Sequence, residues 1–158
     1  MGKKGIEALG VPPKVEGERV VQFSIFIPQK VGYFNGILNV LRSGNVCILA
    51  VCTVDHSDTS VVRMVVDDGE TAKCLWKKRK ISFDEREVVA VECGPTGSVG
   101  EVVHALAQAE MDVNYVYPFL VCPRGYPRLV LGVEDRKLAE DVLIRRGISV
   151  LRRPDIVR

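Results

Sequence analysis

Residues 20–46 read VVQFSIFIPQKVGYFNGILNVLRSGNV, and their periodicity changes part-way along. From Val20 to Ile27, the apolar Phe23, Ile25 and Ile27 alternate with Gln22 and Ser24. That two-residue period predicts a strand with one apolar face. Pro28-Gln29-Lys30-Val31-Gly32 interrupts it. From Tyr33 to Ser43, the residues Phe34, Ile37, Leu38 and Leu41 fall at helical spacing on one side. Gly44-Asn45 then ends the helix, because both residues tolerate left-handed backbone angles.

The chain beyond this stretch continues in the same manner. Val46 to Val54 reads as a second strand, Asp55-His56-Ser57-Asp58 as a turn, and Ser60 to Val66 as a third strand. Asp67-Asp68 opens a short helix whose buried stripe is Ala72, Leu75 and Trp76, and Ile81 to Phe83 begins a fourth strand. The pattern then repeats. Val88 to Glu92 is a strand, Gly94-Pro95-Thr96-Gly97 a break, and Ser98 with Glu101 a capping box ahead of the stripe Val99, Val102, Val103 and Leu106. Val113 to Val121 and Leu129 to Val133 are strands. Glu134-Asp135 opens a helix burying Leu138, Val142 and Leu143, and Ile148 to Leu151 closes the unit.

An offset of 67 carries Val113 onto Val46, Val133 onto Val66, Asp135 onto Asp68 and Ile148 onto Ile81. An offset of 65 carries Gly97 onto Gly32 and Leu106 onto Leu41, so two residues are inserted after the first helix of the second copy. The order strand–helix–strand–strand–helix–strand, twice, predicts an α+β protein of two tandem ferredoxin-like βαββαβ modules. Each module has an antiparallel sheet with both helices on one face. The expected division is an arm over residues 1–18, one module over 19–85 and a second over 86–158. The uncovered sheet faces and edges need company, which fusion supplies and dimerisation extends.

Composition narrows the function classes. The formal net charge is +2, from 22 basic and 20 acidic residues, so the chain as a whole offers no field for nucleic acid or an anionic membrane. Its apolar runs are too short to span a bilayer. The first residues, Met-Gly-Lys-Lys-Gly-Ile, lack the apolar core of a secretory signal, and Ile6 breaks the myristoylation pattern. The five cysteines are scattered and never spaced CxxC, which argues against a disulfide framework or zinc site and for a reducing, cytoplasmic setting. No metal or cofactor is expected, since no third ligand accompanies His56 or His104. No local catalytic set, phosphate loop or dinucleotide fingerprint appears, so the reading is a protein without catalytic residues. The basic run Lys77-Lys78-Arg79-Lys80 lies at a helix end, where cations complement the dipole, and Arg145-Arg146 repeats it in copy two. Strand three lacks the aromatics of an RNA-recognition sheet.

In each copy a glycine, Gly32 or Gly97, precedes the first helix and leaves room for a ligand at the electropositive helix end. Gln29-Lys30-Val31-Gly32-Tyr33-Phe34, followed by Leu38, Leu41 and Gly44-Asn45-Val46, resembles the ACT domain. Gly94-Pro95-Thr96-Gly97-Ser98 with Asp112-Val113-Asn114 resembles it more loosely. Gln29 stands where that family usually has Asp, and Val31 where it has Pro. The resemblance covers about residues 19–151 as tandem ACT modules. It implies a regulatory, amino-acid-binding protein whose effector sits between modules. Carried over by position, the site residues are Gln29, Lys30, Val31, Gly32 and Tyr33, facing Asn45, Val46 and Cys47. In copy two they are Pro95, Thr96, Gly97 and Ser98, with Asp112 and Asn114. A homodimer is expected from the bare sheet faces and edges, and, with no catalytic residues on this chain, any regulated enzyme is expected on a separate polypeptide. A regulatory subunit like the acetolactate synthase small subunit is one variant, and a ligand-free assembly module is the alternative from another class. For Gly32 and Gly97 a simple strand-to-helix turn, and for Asn45 a helix cap, are the competing structural explanations.

Overall fold

The computed structural model describes Val15, residues 17–95 and residues 97–157. Most of the expected arm, and Thr96 among the expected site residues, lie outside the described residues. The end of the arm is docked: Val15 packs on the core of the second module, and the Glu18 carbonyl accepts from the Arg153 N–H at 2.9 Å.

The first module runs β1 (Val20–Pro28), α1 (Tyr33–Ser43), β2 (Ile48–Asp55), β3 (Thr59–Val66) and α2 (Gly69–Lys78). It ends in β4 (Asp84–Glu92). The second continues with α3 (Val99–Gln108), β5 (Tyr115–Pro118), β6 (Arg128–Gly132), α4 (Arg136–Arg145) and β7 (Ser149–Leu151), followed by the single turn α5 (Arg153–Ile156). All the paired strands are antiparallel. Phe23, Ile25 and Ile27 of β1 join Ile37, Leu41, Ala72 and Trp76 of the two helices in one core. Phe23 and Trp76 meet edge to face with centroids 5.2 Å apart. The second core repeats this plan with Val89, Val91, Val102, Leu106, Ala139 and Leu143.

The helix ends show how far the repeat goes. All four longer helices end on a left-handed residue: Asn45, Lys80, Glu110 and Gly147, with φ of 56°, 55°, 57° and 77°. In each case the next residue's N–H reaches back five positions, as Val46 to Leu41, Ile81 to Trp76, Met111 to Leu106 and Ile148 to Leu143. These are Schellman closures. Asn45 and Glu110 stand 65 apart and Lys80 and Gly147 stand 67 apart, so the two-residue insertion lies between the end of α3 and β5. Asp68 and Asp135 cap α2 and α4 alike, each accepting at 3.0 Å from the N–H three residues on.

Two expectations are corrected in the fourth strand. Ile81 to Phe83 is not strand, and Asp84 to Glu92 is one continuous strand rather than two. Its first half pairs with β1, from Asp84 opposite Ser24 to Val88 opposite Val20. Its second half pairs with β6 and β7. One strand therefore closes module one and opens module two, and the expected 85/86 boundary falls inside it. The resulting order is β2-β3-β1-β4-β6-β5, with β7 on β4. Beyond β5 the chain returns to β2 through an antiparallel bridge between Ala50 and Phe119, and the Leu120 N–H donates to the Leu49 carbonyl at 2.8 Å.

The sheet thus wraps on itself with the helices outside. The two uncovered faces meet in a third core made of Val20, Ala50, Val65, Val88, Ala90, Tyr117, Phe119, Val130 and Leu151. That is the company the sequence demanded. A buried ion cluster ties the modules at the flank: Arg152 grips Glu140 through two bonds of 2.6 and 2.8 Å, and Arg19 adds a third of 3.0 Å. Lesser corrections concern the stripes. Val99 and Leu138, expected to be buried, are exposed, and β5 is four residues long because its continuation turns to meet β2.

Candidate functional site

The first strand-to-helix loop is open. Gly32 has φ of 85°, and a side chain built there would touch nothing within 4 Å. No side chain caps α1. The N–H groups of Phe34 and Asn35 have no acceptor among the described residues, whereas Tyr33 and Gly36 donate to the carbonyls of Lys30 and Gly32. Lys30 and Val31 are exposed beside them. Gln29 anchors the loop. Its amide donates to the Asp55 carboxylate and to the His56 carbonyl, tying the loop to the β2–β3 turn. Tyr33 lines a recess of about 240 Å³ with Phe26 and residues 80–84. The recess exists because β1 outruns β4: the last pair is Ser24 with Asp84.

The second loop is built differently. A side chain on Gly97 would lie 2.9 Å from the Gly94 backbone nitrogen and 3.2 Å from the Cys93 Cβ, so the glycine serves its own turn. Ser98 accepts the Glu101 N–H at 3.3 Å and caps α3. The two loops are therefore not equivalent: at the start of α3 the Glu101 N–H is already taken by the Ser98 hydroxyl, whereas α1 has no side-chain cap. Pro95 is exposed on this loop, and Asp112 and Asn114 are exposed on the approach to β5.

Asn45, Val46 and Cys47 do not face the first loop within one chain. They lie at the far end of α1, whose 11 residues span roughly 16 Å. Asn45 is the left-handed cap and Val46 sits in the first core. Cys47 exchanges bonds with Asp67 and lines a recess of about 360 Å³ with Ile48, Leu49, Phe119, Val121 and Pro123. This recess is one mouth of the core between the modules. A second mouth, of about 380 Å³, opens at the other end, lined by Gln22, Phe26, Arg63 and Tyr115 among others. The 67-residue offset relates the two: Tyr115 answers Ile48, Pro123 answers His56, and Arg128 answers Val61.

Other reactive groups are committed to structure. Burial pushes the Cys93 thiol up, and it pushes the Cys52 thiol up against an opposing pull from Arg63. Burial also pushes the Tyr117 phenol far up, while its hydroxyl donates to Gln22 at 2.6 Å. Glu92 and Arg128 form a cross-strand ion pair of 2.6 Å, both buried. Among the described residues no three of His, Cys, Asp and Glu gather to hold a metal. Among them, too, no helix is long and apolar enough to cross a membrane.

Fold and site define a tandem ferredoxin-like pair, joined back to back, with ligand-sized recesses at the module junction and one uncapped helix end. The chain belongs to the ACT domain pair family, which it matches over residues 18–158. Its fold is similar to that of a protein from Bacteroides thetaiotaomicron, with 21% identity, a TM-score of 0.79, and 89% of this chain and 96% of that one covered. It is also similar to the regulatory subunit of aspartate kinase from Thermus thermophilus in its ligand-free form (14% identity, TM-score 0.57, 81% and 91% covered). A third similar structure is that of aspartokinase alpha and beta subunits (17% identity, TM-score 0.57, 85% and 99% covered). No curated protein matches the sequence.

The second mouth was missed by sequence reasoning. Its residues come from β1, β3, β4, the turn after β2 and the start of β5, so no local motif joins them. The available signal was Gln22 and Arg63, polar residues within otherwise apolar strands.

Proposed function

We propose that this chain is a non-catalytic regulatory protein that senses an amino acid and passes that state to a separate enzyme. The observation that carries this reading is the uncapped start of α1. There Gly32 leaves the Phe34 and Asn35 N–H groups open, at the end of a helix whose dipole favours a carboxylate. Lys30 adds a positive charge at the same loop. Membership of the ACT domain pair family supports the regulatory role, as does the building of aspartate kinase regulatory subunits on this fold. Because Asn45 to Cys47 lie at the other end of α1, the facing wall of the loop site comes from a neighbouring module. A homodimer supplies it, and the exposed end of β2 from Thr53 to Asp55, beyond its bridge to Phe119, suits such pairing. The second loop, self-capped by Ser98, takes no ligand. The thiols of all five cysteines are unpaired, in keeping with a cytoplasmic location.

A thermal-shift screen over the twenty amino acids tests this. A ligand at 100 times its Kd adds about 2.7 kcal/mol. For a chain of this size that raises Tm by about 5–10 °C. Gly32→Asp tolerates the left-handed backbone, sets a negative charge against the open donors, and is expected to abolish the shift. A flat screen, or a shift that survives this substitution, removes the loop site.

A further inference from the structure

Residues 29–32 bond mostly among themselves and with the first turn of α1. The Lys30 N–H donates to the Pro28 carbonyl at 2.8 Å, Tyr33 to Lys30 at 3.3 Å and Gly36 to Gly32 at 2.9 Å. Among the described residues, the loop's one hydrogen-bonded tie to another element is the Gln29 side chain. Its amide donates to the Asp55 carboxylate and, at 3.1 Å, to the His56 carbonyl. Asp55 is the last residue of β2, and it also accepts from the Ser60 hydroxyl at 3.3 Å. One carboxylate thus joins the loop, the end of β2 and the start of β3. The turn between those strands is closed by the His56 N–H on the Thr59 carbonyl at 2.8 Å.

The second module has no counterpart to this bridge. The 65-residue offset carries Gln29 onto Gly94, and the 67-residue offset carries Asp55 onto Cys122, His56 onto Pro123 and Ser60 onto Pro127. Gly94 has no amide side chain to donate, and its carbonyl accepts from Gly97 within its own loop. A module therefore folds without the bridge. It is present where the helix start is open and absent where Ser98 caps the helix. Its chemistry is also particular. A carboxylate at position 29 would repel Asp55 and could not donate to the His56 carbonyl. Gln29, Asp55 and His56 are all exposed, so these bonds contribute little to global stability, and small changes in the loop make or break them.

We propose that Gln29 couples the open start of α1 to the free end of β2. A carboxylate seated on the Phe34 and Asn35 N–H groups then orders the β2–β3 turn, and the turn in return sets the affinity of the loop. The coupling rests on the loop site proposed above and names its regulation: the edge from Thr53 to Asp55 is where occupancy is felt. Coupling of this kind is reciprocal, so a group that touches no ligand must still change the affinity. The sign separates it from plain charge. Removing the Asp55 carboxylate would by charge alone strengthen the binding of an anion, whereas breaking the bridge weakens it.

The test is amide hydrogen exchange on the full chain, first with nothing added and then with each of the twenty amino acids singly. With nothing added, Gln29→Ala and Gln29→Glu are each expected to speed exchange of the His56 N–H about fivefold. Asp55→Ala should do the same to the Lys30 and Tyr33 N–H groups. An amino acid that protects Phe34 and Asn35 should also protect His56 in the native chain, but not in Gln29→Ala. By calorimetry, Asp55→Ala should weaken that amino acid about fivefold. Asp55→Asn keeps an acceptor oxygen and should hold the native affinity. The double variant Gln29→Ala/Asp55→Ala should weaken binding no more than either change alone. The coupling is overturned if His56 exchange is unmoved in both Gln29 variants, if His56 is protected equally in Gln29→Ala, or if Asp55→Ala binds more tightly than the native chain. Any of these beside an amino acid that protects Phe34 and Asn35 removes the coupling and leaves the loop site standing. If none of the twenty protects those two groups, the loop site falls and the coupling with it.

Discussion

At the scale of single residues, the ion cluster around Glu140 is where modules and acid sensitivity meet. Burial pulls the Glu140 carboxyl up, but the hydrogen bonds from Arg152 and Arg19 outweigh it and hold the group below the usual carboxylate range. A carboxyl that is more acidic folded than unfolded binds fewer protons in the native state. Its stabilising contribution is complete above the unfolded value, ~4.3, and is lost as pH falls through the folded value. Glu140→Gln is expected to destabilise the protein at pH 7 by about 3–5 kcal/mol, because it leaves a buried guanidinium without its counter-charge. The same variant should show a shallower loss of stability between about pH 5 and pH 3. Urea unfolding across that range checks both, and an unchanged pH slope removes Glu140 from the account. Gln22 and Arg63 carry the opposite lesson. Each is a polar residue visible in a largely apolar strand, yet only the meeting of two sheets gives them a shared space.

At the scale of elements, the repeat was legible because local chemistry repeats. Asp68 and Asp135 cap their helices as the sequence predicts, and the 65- and 67-residue offsets reappear in the left-handed residues that end them. The fourth helix ends on Gly147, but α2 and α3 force Lys80 and Glu110 into the same conformation. Lys80→Gly and Glu110→Gly are therefore each expected to stabilise by about 0.5–1 kcal/mol, the relief of strain being partly offset by unfolded-state entropy. Asp68→Ala should destabilise by about 1 kcal/mol through loss of the cap. Thermal denaturation of the three variants measures the signs, and destabilisation by both glycines would contradict the strain argument. Strand limits were less legible. Ile81 to Phe83 has the composition of a strand, but the Ile81 N–H closes α2 on the Trp76 carbonyl and Ile81 and Phe83 pack on the first core, so tertiary packing rather than propensity decides where β4 begins.

At the scale of the whole molecule, one strand serves both modules and one core joins them. Val88 and Ala90 of β4 lie in that core with residues of both sheets. Neither module can keep its inner face dry without the other. The chain is therefore expected to unfold in a single transition. Trp76, the one tryptophan, reports only the first module, while far-UV circular dichroism reports both. The two urea curves should coincide in midpoint and slope. An earlier midpoint for either probe would mean that the modules unfold separately.

The sequence by itself determined the element order, the duplication, the capped helix ends and the apolar faces, because these depend on residues a few positions apart. It also marked Gly32 and Gly97 as special, but not that one faces open space while the other is pressed against its own turn. Which glycine stays open, how one strand closes two modules, and why Arg63, Arg86 and Tyr115 share a recess were decided by the tertiary structure alone. These depend on which sheet faces which, and that is set by contacts between residues far apart along the chain.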